Sequence, residues 1–139
     1  MKNKGFTLIE MLIVIAMVGI LSTAILVALG PSRTKAKDTR IISDINQMRL
    51  IIENLYDSSK NRYTVPNMAS PECTGGTGSG ELDQIMQDVA KNGGSTCMIS
   101  LADDGSSYAI LVKLASGSWY CVDSRGVTST GLGGGGICK

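Results

Sequence analysis

"KGFTLIEMLIVIAMVGILSTAILVALGP", residues 4 to 31, holds an apolar run from Phe6 to Leu29 whose one charged side chain is Glu10. The run exceeds the roughly 20 residues that an α-helix needs to cross a bilayer. A carboxylate at the centre of such a helix costs on the order of 2.5–3.5 kcal/mol, so one placed near its start calls for a partner or a function.

What precedes the run gives it direction. In an ordinary secretory signal the small-residue cleavage site lies on the far side of the apolar stretch. Here the basic "MKNK" leads directly into Gly5, and the apolar stretch comes afterwards. Cleavage after Gly5 discards residues 1–5 and keeps the whole hydrophobic helix. The remaining residues, little more than about a hundred beyond the run, suffice for one modest domain.

Formal charge is +1 over 139 residues, and losing Lys2 and Lys4 with the leader brings it from +1 to −1. Neither value gives a general attraction to nucleic acid. Four cysteines, Cys73, Cys97, Cys121 and Cys138, all follow residue 70, with no C-x-x-C pair and no histidine in the chain. An even cysteine count beside a membrane-targeting segment points to disulfides in an oxidising compartment rather than to zinc. Charge counting around the apolar run conflicts with this. Lys2 and Lys4 precede the run while Arg33, Lys35, Lys37 and Arg40 follow it, which favours the opposite orientation. The cysteines place the C-terminal region outside the cytoplasm, and Asp38 and Asp44 partly offset the basic cluster.

The stretch "KGFTLIEMLIVIAMVGIL" resembles the N-terminus of type IV prepilins and the related pseudopilins. The resemblance is specific over about the first thirty residues. More loosely, "AKDTRIISDINQMRLIIENLYDSSKNRYTVP" is similar to the helix and Tyr-x-Pro-like exit of many such proteins. The resemblance implies an α+β fold, in which a long N-terminal helix packs on a small C-terminal antiparallel sheet. It divides the chain into a leader (1–5), a hydrophobic assembly helix (6–30) and a globular domain (31–139). It also implies cleavage after Gly5, N-methylation of Phe6 and an assembly role for Glu10. The partners implied are other pilin subunits, a prepilin peptidase/methyltransferase, an inner-membrane assembly platform and, before assembly, the lipid bilayer. The subunit would pass from the cytoplasmic membrane into an extracellular filament.

A physical argument for Glu10 stands beside this. On a helix it lies one turn, about 6 Å, from Phe6 and on the same face. Cleavage exposes an amine at Phe6 that can pair with the carboxylate, within one chain or between neighbours. The alternative is a monomeric anchor whose glutamate snorkels to the headgroups.

Gly30 and Pro31 are expected to weaken or kink the helix, with Gly19 a second soft point. Beyond them Ile41, Ile45, Met48, Ile52 and Leu55 recur every three or four residues, a stripe that predicts packing on a sheet. One helix from Phe6 to about Ser58 would measure roughly 80 Å, far more than a bilayer needs. "SSKNRYTVPNMASPEC" breaks the pattern, and "TGGTGSG" reads as a linker. A short helix follows, with Glu81 and Asp83 at its start, Leu82, Ile85, Met86 and Val89 on one face, and Asn92, Gly93 and Gly94 at its end. "TCMISLA", "SYAILVKLA" and "SWYCVDS" then form a meander, turning at Asp103–Gly105 and at Ser116–Gly117. Tyr108, Ile110, Val112 and Leu114 face the helix. Leu111 and Trp119, on the other face, are to be covered by a loop or by a neighbouring subunit.

No nucleophile–base constellation, nucleophile elbow or phosphate loop is present, so no enzyme activity and no cofactor are expected. Asp103, Asp104 and Asp123 could be imagined on calcium, but Asp-Asp-Gly is ordinary turn chemistry and no metal is expected. The tail "TSTGLGGGGICK" lacks acidic residues, unlike the calcium-binding loop of type II secretion pseudopilins. Cys121 followed by Cys138 instead resembles the disulfide-closed C-terminal loop of many type IV pilins. Four cysteines allow three connectivities. Cys73–Cys97 and Cys121–Cys138 are expected, the first because its cysteines flank the linker and short helix. The function expected is a structural pilus subunit. The alternatives are a type II secretion or competence pseudopilin, a minor pilin acting in adhesion or DNA uptake, and a tethered binding module that never polymerises.

Overall fold

The computed structural model describes residues 5–64, the backbone of 68–70, Cys73, residues 80–131 and 136–139. The leader residues Met1–Lys4, Pro66 of the expected helix exit and the Gly-rich linker at 74–79 lie outside the described residues. Residues up to Arg33 make one compact unit and Thr34–Lys139 a second.

Helix α1 runs Leu8–Asn54, with Pro31 inside it. The weakening expected at Gly30 and Pro31 leaves the helix unbroken, because a proline removes one backbone hydrogen bond while its neighbours remain. The expected span of Phe6 to Ser58 is too long at both ends. Thr7 caps the start. At the other end the Leu55 N–H donates to the Ile52 carbonyl at 3.0 Å, which tightens the last turn, and the chain enters a hairpin. Its strands, β1 (Tyr56–Asp57) and β2 (Arg62–Tyr63), pair antiparallel.

In the second unit Ile41, Ile45, Met48 and Ile52 of α1 are fully buried, as the stripe predicts, and Leu55 packs at their edge. Their core partners are Leu82, Met86 and Val89 from α2 (Gly80–Lys91) and Tyr108, Ile110, Val112 and Val122 from the sheet. Each such side chain contributes about 1.5–3 kcal/mol by leaving water. Helix α2 stops where its sequence says. Gly94 N–H donates to the Val89 carbonyl and Gly93 N–H to that of Ala90, with Gly93 at φ +89°. A Cβ on Gly94 would lie 2.5 Å from Val89 Cγ1, so this approach needs glycine.

The sheet is antiparallel, with strands in the order β3 (Met68–Ser70), β4 (Ser95–Leu101), β5 (Tyr108–Lys113), β6 (Trp119–Asp123), β7 (Thr128–Ser129). The three central strands are those of the expected meander; β3 and β7 extend it. Its outer face carries a second cluster of Ala109, Leu111, Cys121 and Cys138, with Trp119 beside it. The cover over Leu111 is therefore the chain's own C-terminal segment. Gly136 lies so close to the β4–β5 hairpin that a Cβ there would meet Ser107 Oγ at 2.7 Å and Ala102 N at 2.8 Å.

Polar groups tie these layers together. Arg40 of α1 reaches Asp88 of α2 at 2.7 Å and Asp44 at 3.3 Å. Asp44 is buried, and that burial raises its carboxyl pKa against the pull of Arg40. Glu53 accepts hydrogen bonds from the hydroxyls of Tyr63 (2.9 Å) and Tyr108 (2.7 Å), whose rings meet edge to face. Burial and then the Glu53 carboxylate push the Tyr63 hydroxyl up to about 12. Both phenols thus stay neutral donors throughout the physiological range.

Candidate functional site

The candidate site is the start of α1. Every residue from Gly5 to Leu29 is exposed, Phe6 at 80% and Leu8 at 84%. The helix is long and apolar enough to cross a membrane. Its interior hydroxyls make no demand on a solvent: Ser22 Oγ donates to the Val18 carbonyl at 2.7 Å and Thr23 Oγ1 to that of Ile20 at 2.8 Å.

Glu10 is engaged at this end. Its Oε2 accepts from the Thr7 N–H at 2.8 Å and from the Thr7 hydroxyl at 2.7 Å, while Glu10 N–H faces Thr7 Oγ1 at 3.3 Å. This reciprocal arrangement is a capping box, with Thr7 at the N-cap and Glu10 three residues on. It satisfies two of the helix's first N–H groups and puts a negative charge at the positive end of the helix dipole. In the uncleaved chain Phe6 carries a peptide nitrogen and no amine. With Phe6 in peptide linkage, Thr7 holds the carboxylate. Thr7 did not figure among the expected site residues, although Thr-x-x-Glu before an apolar run is the signature of this cap.

Of the three aspartates weighed as cation ligands, Asp123 is fully buried and committed within the protein. Its Oδ1 accepts from the N–H groups of Arg125 and Val127, and its Oδ2 from the Arg125 guanidinium at 2.7 Å and from Cys138 N–H at 3.3 Å. Asp104 accepts from Ser106 N–H in the β4–β5 turn. The structure joins Cys73 to Cys97 and Cys121 to Cys138, with Cα separations of 5.0 and 5.8 Å. One carboxylate therefore fixes both the β6–β7 turn and the cysteine that anchors the tail.

Burial alone would raise the Asp123 carboxyl, but the Arg125, Val127 and Cys138 donors outweigh it and hold the group below the ordinary carboxylate range. The stabilisation this gives is complete above the unfolded value near about 3.9 and disappears as pH falls through the lower folded value. Asp123→Asn is expected to cost about 1–3 kcal/mol at pH 7 and less at pH 2. Urea unfolding of the full chain in detergent, at both pH values, measures the difference. Equal losses at the two pH values would show that the charge contributes nothing.

Residues 1–26 match a family described as the prokaryotic N-terminal methylation motif. The chain is 34% identical over 101 residues to the major component of the type IV wide pilus of Thermus thermophilus, covering 72% of this chain and 75% of that protein. Two Dichelobacter nodosus sequences, each named "Probable minor fimbrial protein", are 26% identical over 140 residues, covering 86% of this chain and 87% of theirs. No solved structure matches the chain.

Proposed function

The chain belongs to the type IV pilin family, and from that membership we propose a subunit that is cut after Gly5, methylated at Phe6 and built into an extracellular pilus through its N-terminal helix. The observation that carries the proposal is an apolar helix start with no residue buried from Gly5 to Leu29 and its one carboxylate held at the first turn. Such a surface is stable in lipid before assembly and among like helices after it.

Hydrolysis of the Gly5–Phe6 bond by a prepilin peptidase releases an α-amine at Phe6, protonated around neutral pH. Glu10, one turn away, then has a cation to neutralise, in its own chain or in a neighbour added at the assembly platform. Pairing matters because an ion left alone in an apolar core costs about 3–5 kcal/mol. The C-terminal domain stands outside the cytoplasm, where its disulfides persist. Its role is structural rather than catalytic.

Filaments sheared from cells are expected to contain a chain whose intact mass begins at monomethylated Phe6 and includes two disulfides. A mass retaining Met1–Gly5, or a cut beyond Leu29, contradicts the processing proposed. The Dichelobacter relatives' name favours a second possibility, a minor subunit, and the share of this chain in the sheared material decides between the two.

A further inference from the structure

The filament reading leaves the basic residues after the apolar run without a role. Arg33, Lys35 and Lys37 are exposed, and among the described residues none of them makes an ion pair. The nearby carboxylates are committed elsewhere. Asp38 accepts the Ser116 N–H at 3.1 Å, and Asp44 is buried against Arg40. Neither Asp38 nor Asp44 is ion-paired with any of these three cations.

Their spacing along α1 decides what they fit. With a rise of 1.5 Å per residue, Arg33 lies about 6 Å and Lys37 about 12 Å beyond Leu29 along the helix. That interval is the polar layer of roughly 5–8 Å outside the hydrocarbon core, together with the reach of a long basic side chain back into it. Arg33 and Lys37 share one face at i, i+4, whereas Lys35 is turned about 160° from either neighbour's side, onto the opposite face. Lipid headgroups at the membrane surface can reach both of these faces.

We propose that Arg33, Lys35 and Lys37 form a collar that binds the phosphates of anionic phospholipids on the outer surface of the membrane. This rests on the membrane-inserted stage of the proposed function. The collar sets the depth of the subunit before assembly, and it must release its lipids when the helix leaves the bilayer.

The test uses the full-length chain in phosphatidylcholine vesicles carrying a trace of spin-labelled phosphatidylglycerol or spin-labelled phosphatidylcholine. The motionally restricted fraction of each label is read by electron paramagnetic resonance. An anionic preference of about threefold or more is expected, falling towards one in about 1 M salt. It should fall sharply in the triple variant Arg33→Gln/Lys35→Gln/Lys37→Gln, further than in Lys2→Gln/Lys4→Gln. Restricted lipid without headgroup preference, or a preference that the triple variant leaves unchanged, overturns the collar alone. No restricted lipid of either kind overturns the membrane-inserted stage and the collar with it. A filament defect in the triple variant, with no headgroup preference in the parent, overturns the lipid assignment in favour of a neighbouring subunit's carboxylates.

Discussion

Glu10→Ala is expected to abolish filaments while leaving the Thr34–Lys139 unit folded. Under the proposed pairing, removing the carboxylate leaves the Phe6 amine without its counter-charge among packed helices, a loss of about 3–5 kcal/mol and so more than a hundredfold in the equilibrium for adding a subunit. The folded unit is spared because Glu10 contacts Thr7 alone among the hydrogen bonds described, and its own residue is exposed. Thr7→Val separates the two duties of this carboxylate. It removes the hydroxyl of the cap, worth about 1 kcal/mol of helix stability, and leaves Glu10 free to meet an amine. Sheared-filament yield should therefore drop far more for Glu10→Ala than for Thr7→Val, with near-ultraviolet circular dichroism unchanged in both. Wild-type filament yield from Glu10→Ala would remove the carboxylate from assembly.

Cys121→Ala/Cys138→Ala is expected to destabilise the domain by about 3 kcal/mol in the chain-entropy account, because the bridge closes a loop over a sequence separation of 17. The effect goes beyond entropy. Cys138 packs with Ala109 and Leu111, so its release returns part of the outer sheet face to water. Urea unfolding measures the loss, and limited proteolysis should cut the tail of the double variant far sooner than that of the parent. Peptide mapping of the unreduced parent checks the bridge itself. A Cys97–Cys121 peptide would show another connectivity.

Legibility in the sequence followed the strength of the local signal. The stripe Ile41, Ile45, Met48 and Ile52 and the face Leu82, Met86 and Val89 repeat often enough to fix two helices and their buried sides. The three long strands show as short apolar runs between turns of Asp, Ser and Gly. Two-residue strands such as β1, β2 and β7 are too short for any period to appear. Their pairing depends on where the rest of the chain puts them. The same is true of the Glu53 seam, whose tyrosines are 10 and 55 residues away in sequence. At the candidate site Thr-x-x-Glu was present in the sequence as a cap, yet a carboxylate isolated in an apolar run points first to a cation. Asp123 shows the opposite limit. Its position at a strand end suggested a turn, while its hold on Cys138, 15 residues later, depends on the return of the tail.

The strand order β3-β4-β5-β6-β7 has a kinetic consequence. Each strand pairs with the one that follows it in the chain, so the sheet has low contact order and can zip forward in the order in which the ribosome delivers it. The α1 stripe is different. It emerges first, and its partners Tyr108, Ile110, Val112 and Val122 arrive more than fifty residues later. Until then only Leu82, Met86 and Val89 of α2 can cover the stripe, and a partly covered apolar ridge is the state in which chains aggregate. The vulnerable period in this protein's biogenesis is thus set by the delay between the synthesis of its helix and that of β5, and slowed elongation through residues 56–107 would lengthen it.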